Sequence, residues 1–447
     1  MLEVGRVDAV ALTRHCLERA AETANTLNCF IRLCADAALA EAKMAAARAR
    51  AGQRRGPLDG VPVAVKDNID IAGVPTTNGF GGGALHVPEQ DATVVRRLCA
   101  AGAVILGKLA MHEGALGATN DNPHHGRTHN PHRYGHSPGG SSGGSGAVVA
   151  AGICWAALGT DTGGSVRIPA SYCGVVGLKP SFGLVSTRGV VPLSRRLDHI
   201  GPLARSVHDA ALLLDALVGY DPGWPGSRRP APAAPAGRGL AGLRVGMLHG
   251  FEREQIEPAV LAAFDTAIDQ VRRRDAIIVP LTLPGFDPVK VRRACFVRVE
   301  AEAAFIHGPL YKREPHRFSA EMRGYLDYGM RLTATRLLRA DWVMEEAAGA
   351  LNTCWDDVDV IATPATPQAA PAFDAPSLDN AGTFCVLANA SGCPAISLPM
   401  GSSPEGLPLG LQIIAPLDQD RLLLNVAAAV EDALEVILAL PALREMR

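Results

Sequence analysis

Apolar residues recur at helical spacing over residues 8–25 and 35–51, with Asp8 and Asp36 placed as caps and the second segment rich in alanine. Val61, Val63 and Val65 then alternate with smaller residues after a Pro-Leu-Asp-Gly turn, which predicts a strand ending at Lys66. Asp91 is expected to cap a helix reaching about residue 101, followed by a buried strand over 103–106 and helix again to about residue 117. Helix after Ser206, strand over 243–248, helix over 257–274 and strand over 276–279 continue the alternation. Residues 288–355 read as mainly helical with charged faces, a helical cap region. Strands are predicted again at 358–362, 395–398 and 409–414, before a last helix from about Asp420. This order predicts an α/β fold, a large mixed but mostly parallel sheet covered by helices on both faces. The Pro/Ala/Gly-rich stretch 221–241 reads as a surface loop or linker.

Composition narrows the function classes. The chain has 447 residues, 48% hydrophobic and 20% charged, with a net charge of -2 and no basic stripe. Nucleic acid and anionic membranes are therefore not expected partners, and small near-neutral ligands are. No apolar run approaches the roughly 18 residues of a membrane span, and the N-terminus lacks a signal core, which predicts a cytoplasmic protein. Ten cysteines without a C-x-x-C pair predict reduced, mostly buried thiols.

Candidate chemistry concentrates between residues 135 and 172. Two Gly/Ser clusters, Gly139 to Gly146 and Gly163-Gly164-Ser165, flank a short apolar stretch. Glycines in that number predict unusual torsions or close backbone approach, and successive N–H groups turned into one concavity can hold an oxyanion. Lys66, set among valines, is expected near the sheet core, where burial lowers its pKa and lets it act as a base. Rival patterns are weaker. Gly140 to Gly144 fits G-x-S-x-G with Ser142 as nucleophile, but that elbow needs a buried strand before it, and HRYGHSP is not one. No phosphate-binding glycine loop is present. His124, His125, His129, His132 and His136 crowd one loop without the spacing that aims rings at a metal, so neither metal nor cofactor is expected.

Three segments, VAVKDNID around Lys66, SPGGSSGGSGA around Ser141 and GTDTGGSVRIPAS around Ser165, together resemble the amidase signature family. The likeness extends to GVPTTNG, AGAVILGKLAMHE, GLKPSFG, LDHIGPLARSV, NASGCPAISLPMG and GLPLGLQIIAP, nearly the whole chain. The resemblance implies one amidase signature domain over 1–447 with its catalytic core in 61–220. It implies Ser165 as nucleophile, Ser141 as a bridging serine preceded by a cis peptide, Lys66 as the terminal base, and an oxyanion hole from the N–H groups of Thr162, Gly163, Gly164 and Ser165. Asp161 and Arg167 are expected to form a buried ion pair bracing the loop, Ser142 to tether the cluster, and the histidine loop to line the substrate entrance. Met111, His112, Tyr172 and Cys173 are candidate substrate-binding residues, with Phe305, Tyr325 and Tyr328 as further candidates. The implied function is a stand-alone hydrolase, monomer or homodimer, acting on small amides, anilides, aryl esters or carbamates through an acyl-enzyme. One alternative is the glutamine-hydrolysing component of a tRNA-dependent amidotransferase, although Ile168 stands where that branch carries Gln. The other, from a different class, is an inactive scaffold.

Overall fold

The computed structural model describes residues 2, 6–230, 239–249, 256–376, 380–436, 438, 440 and 441. Of the expected 221–241 linker, residues 231–238 lie outside this set. Eleven strands form one sheet: β1 (Phe30–Leu33), β2 (Pro62–Lys66), β3 (Val104–Leu109), β4 (Ala156–Asp161), β5 (Val176–Lys179), β6 (His199–Ala204), β7 (Arg244–Leu248), β8 (Ile277–Leu281), β9 (Val360–Pro364), β10 (Ala395–Ser402) and β11 (Pro408–Ile414). Their order is β1-β3-β2-β4-β6-β5-β10-β11-β9-β7-β8.

The sheet is mixed, but the expectation that it is mostly parallel needs correcting. The pairs β2/β3, β2/β4, β7/β8 and β7/β9 are parallel, whereas the other six neighbouring pairs are antiparallel. The reason lies in the middle of the sheet. Strands β5 and β6 are too short and Gly/Pro-interrupted to show a clear period, and they insert antiparallel between β4 and β10. β10 and β11 form a hairpin, the short connection that antiparallel pairing permits.

Helices Ala9–Glu22, Ala35–Arg50, Pro258–Arg272 and Asp420–Leu434 fall close to the predicted segments. Asp8 caps the first, its Oδ1 accepting from Val10 N–H at 2.8 Å. Two local expectations fail. Asp91 does not cap the helix Thr93–Ala100, because its carboxylate accepts from Ala72 N–H instead. After β3 there is only the 3-10 turn Glu113–Ala115, since Gly114 at φ 61° cannot continue an α-helix. Asp36 lies in the first turn of its helix, whose cap position is Cys34.

Residues 288–355 form three main helices, Pro288–Arg313, Ala320–Arg331 and Ala334–Thr353, the first packing against each of the other two. Their apolar faces join Phe80, Met111, Leu193 and Leu197 in one buried cluster, so they sit beside the segments following β2 and β3. A larger cluster lines the opposite side, drawing on β2, β4, β5, β7, β10 and β11 and the helices Val207–Leu217, Pro258–Arg272 and Asp420–Leu434. No helix of the described residues is long and apolar enough to cross a membrane.

Candidate active site

Lys66 ends β2, and β4 runs parallel beside it in the register Val63 to Ala156 and Val65 to Leu158. The carboxyl ends of both strands therefore open at one edge of the sheet, where the loops that follow can meet. Lys66 is fully buried there, its Nζ 2.7 Å from Ser141 Oγ and 2.8 Å from Thr160 Oγ1. Asn68 Nδ2 also donates to Thr160 Oγ1, at 3.1 Å. Among the described residues no carboxylate lies within ion-pair distance of Lys66. Asp67, its chain neighbour, turns away to Lys108 at 3.4 Å and to Thr77. Burial lowers the Lys66 pKa to about 7, and the more distant charges of Asp161 and Asp198 only partly oppose this.

The Gly140–Ser141 peptide is cis. The helix Gly143–Ala150 begins immediately afterwards and packs so tightly that a Cβ on Gly144 would lie 2.5 Å from Ala110 O. Ser142 Oγ donates to Thr160 O at 3.2 Å, and Ser145 Oγ donates to Leu158 O at 3.0 Å, so both serines fasten this segment to β4. Ser142 N–H donates to Ser165 O at 3.3 Å, which joins the two Gly/Ser clusters backbone to backbone.

The loop after β4 is held by Asp161 and Arg167. Arg167 Nε and Nη2 donate to the two Asp161 oxygens at 3.0 and 2.9 Å, and both side chains are fully buried. Asn389 Nδ2 donates to Asp161 Oδ1 at 2.9 Å. Burial opposes ionisation of Asp161, but the Arg167 charge and these hydrogen bonds outweigh it and hold the carboxyl well below the usual range. Gly164 adopts φ +116°, and a Cβ there would lie 2.7 Å from Cys385 Cβ. Ser165 is partly exposed, and its hydroxyl makes no hydrogen bond with any described residue.

One expected oxyanion donor is lost. Gly164 N–H donates to Asp161 Oδ1 at 2.9 Å and belongs to the brace. The N–H groups of Thr162, Gly163 and Ser165 have no acceptor among the described residues.

The substrate-binding candidates divide. His112 lies at the site: its N–H donates to Ser141 O at 3.1 Å, and burial lowers the pKa of its ring. Met111 is fully buried in the apolar cluster with Phe80 and Phe318. Tyr172 and Cys173 are packing residues, Tyr172 accepting from Gln368 Nε2 at 3.1 Å and Cys173 Sγ donating to Pro138 O at 3.2 Å. Phe305 is 85% exposed and cannot wall a pocket. Tyr328 lies near Arg293 and Arg336, and Tyr325 donates to Glu321 at 2.9 Å; these contacts stay within the helical cap. The histidine rings diverge, His124 to Glu113, His125 to Phe80 O, His132 to Cys173 O and His129 onto Tyr134. His136 Nδ1 faces Tyr134 O.

Sequence reasoning misses Thr160, Asn389, Gln412 and Asp198. Asn389 and Gln412 lie within NASGCPAISLPMG and GLPLGLQIIAP, but only folding brings them to Arg167, 222 and 245 residues away in the chain.

Comparison with known proteins agrees with this architecture. A family model described as Amidase matches residues 11–424. The chain is 40% identical to the A-type subunit of the glutamyl-tRNA(Gln) amidotransferase of Anaeromyxobacter dehalogenans (strain 2CP-C), over 97% of this chain and 95% of that one. It is 37% identical to AtzE, a subunit of the 1-carboxybiuret hydrolase of Pseudomonas sp. (strain ADP), over 96% of each. It superposes with TM-score 0.90 and 36% identity, over 96% of each chain, on a solved structure from a vestigial protein complex linked to the origins of an s-triazine catabolic enzyme.

Proposed function

Because the chain belongs to the amidase signature family, whose hydrolases act on C–N bonds, we propose that it cleaves an amide-type bond of a small substrate through an acyl-enzyme on Ser165. The observation that carries this reading is the fully buried Lys66 amine 2.7 Å from Ser141 Oγ, with a pKa lowered to about 7. As Ser165 Oγ attacks the carbonyl carbon, its proton passes to Ser141 Oγ while the Ser141 proton passes to neutral Lys66 Nζ. The N–H groups of Thr162, Gly163 and Ser165 hold the tetrahedral oxyanion. Collapse breaks the C–N bond, and the relay in reverse protonates the leaving nitrogen. Water then attacks the acyl-enzyme by the same relay, releasing the acid and restoring the Ser165 hydroxyl.

The relatives favour a component of a larger assembly over a stand-alone enzyme, since both are named as subunits. Two substrate readings follow. The amidotransferase relatives support glutamine as a source of ammonia, and with it an assembly that handles tRNA, against the expectation of no nucleic-acid partner. A urea-like acyl group is supported by the 1-carboxybiuret hydrolase relative, whose alignment spans 443 positions. The amidotransferase alignment spans 475, more positions than this chain has residues, so it carries insertions that this chain lacks. Ile168 weighs against the glutamine reading. It packs with Tyr172 and Cys385, presenting an apolar side chain where the amidotransferase branch carries an amide. Anilides, aryl esters and carbamates expose the same carbonyl and remain candidate substrates.

The test is product release by wild type and Ser165→Ala from glutamine, 1-carboxybiuret, a short acyl anilide and an aryl carbamate. Turnover of any of them that vanishes in Ser165→Ala supports the mechanism, and the preferred substrate identifies the branch. A fully active Ser165→Ala protein would overturn the assignment of the nucleophile. No turnover by either protein, and no labelling of wild type by a fluorophosphonate, would leave the scaffold reading.

A further inference from the structure

Asp198 lies just before β6, is 7% exposed, and has both carboxylate oxygens engaged. Oδ2 accepts from the N–H groups of Leu193 at 2.9 Å and Ser194 at 3.0 Å, and Asp198 N–H donates back to Ser194 O at 2.8 Å, so the 193–198 turn closes on itself. The turn is tied from outside by Glu302 on the helix Pro288–Arg313. Its carboxylate accepts from Ser194 Oγ at 3.0 Å and from Arg195 N–H at 2.7 Å. The remaining Asp198 oxygen, Oδ1, accepts from Thr162 Oγ1 at 2.6 Å.

Thr162 is the first residue beyond β4 and is 6% exposed. Its side chain is anchored while its N–H lacks an acceptor among the described residues. A threonine has few χ1 wells, so fixing Oγ1 fixes Cβ and resists the rotation of Cα that would swing the N–H elsewhere. Its neighbours are held by other means. Asp161 and Gly164 belong to the Arg167 brace, and the Asp161 carbonyl also accepts from Asn389 Nδ2 at 3.3 Å. Among the described residues, the Thr162 hydroxyl has its hydrogen bond with Asp198 alone.

We propose that Asp198 is a positioning residue for the oxyanion site, holding the Thr162 N–H, through the Thr162 hydroxyl, toward the oxygen that becomes negative when Ser165 attacks. This rests on the acyl-transfer reading of Ser165. Oxyanion donors act in the transition state more than in the ground state, so misaligning one lowers the rate of the chemical step and leaves substrate binding nearly unchanged. The Asp198 charge also favours protonated Lys66, and that second influence has a separate signature. It moves the acidic limb of the pH profile, whereas loss of donor alignment lowers the plateau above it.

The test uses the full chain and a fluorophosphonate, which reports on Ser165 whatever the natural substrate is. Maximal labelling rate, half-saturating probe concentration and thermal unfolding are measured for wild type, Thr162→Val, Thr162→Ala and Thr162→Ser across pH, with Ser165→Ala as control. Thr162→Val and Thr162→Ala are expected to lower the plateau rate roughly tenfold, less than the ~10²–10³ that outright loss of an oxyanion donor costs. The half-saturating concentration should stay in place; burial raises the Asp198 pKa to about 6 and the Thr162 hydroxyl counters it, so the acidic limb follows Asp198 and the plateau alone reads donor alignment. Thr162→Ser keeps the hydroxyl and should recover most of the rate. Equal plateau rates in folded Thr162→Val or Thr162→Ala and in Thr162→Ser would overturn the inference, as would a moved limb with an unchanged plateau. Failure of wild type to label at all, or labelling that persists in Ser165→Ala, would overturn the Ser165 reading and this inference with it.

Discussion

Lys66 and Arg167 are both basic, both fully buried, and both within the same cluster of loops, yet their surroundings drive them in opposite directions. Arg167 has five N–H donors and meets five acceptors: the two Asp161 oxygens, Asn389 Oδ1, Gln412 Oε1 and Cys385 O. Burial alone would lower its pKa, but the Asp161 carboxylate outweighs this and raises it. Lys66 meets only two hydroxyl oxygens. An ammonium would leave one proton without an acceptor, whereas a neutral amine has two N–H groups and a lone pair that suit two hydroxyls. Burial therefore prevails at Lys66, and its pKa falls to about 7. The lesson is that burial of a cation does not reveal its role; the number and charge of the acceptors around it do. A complete set makes a brace, and an incomplete set leaves an amine able to take up a proton, as the proposed mechanism requires.

This contrast can be broken from either side. The largest effect is expected at the base: Lys66→Ala should lower turnover by about 10²–10⁴-fold, the span of general acid–base contributions, with thermal unfolding near that of wild type. Unchanged turnover in the folded variant would remove Lys66 from the relay. At the brace the loss should appear in stability first. Arg167→Met leaves Asp161 buried without its cation and is expected to cost about 3–5 kcal/mol, measured by denaturant unfolding. A variant as stable as wild type would show that the pair is not the brace described.

The pH profile sharpens the difference. In the proposed mechanism the neutral form of Lys66 is the active one, so activity should rise as pH passes through about 7. Thr160→Val removes one of the two acceptors of the charged amine, so the rise should move to lower pH. A rise that moves upward would mean that Thr160 favours the neutral amine. The smallest effect is expected from chelation. The five clustered histidines do not converge on one point, His129 and His136 meeting Tyr134 and the other three separate groups, and EDTA should leave turnover unchanged; loss restored by zinc would show a metal that the geometry does not suggest.

Lys66, Ser141 and Ser165 are picked out along the chain by the motif resemblance, with local signals beside it: a valine-flanked strand end, and glycines needed for close approach and for a positive φ at Gly164. Most helices are legible as well, where the apolar period spans several turns. The middle of the sheet is not. Strands β5 and β6 carry Gly, Pro and buried Lys179 and His199, a pattern that neither alternates nor runs continuously apolar. Without them a mixed sheet reads as a mostly parallel one.

The composition of the site is thus determined by the sequence itself: which hydroxyls, which amine, and which glycines allow the backbones to touch. The tertiary structure alone decides what those groups have for neighbours. Gly164 N–H is withdrawn from the proposed oxyanion site because Asp161 folds back to accept it. Phe305 is turned outward on its helix. Arg167 gains Asn389 and Gln412 from across the chain, while Lys66 is left with two hydroxyls. The physical reason is that local torsional and periodic preferences are written in consecutive residues, whereas desolvation and hydrogen-bond satisfaction depend on every group that folding brings within a few ångströms.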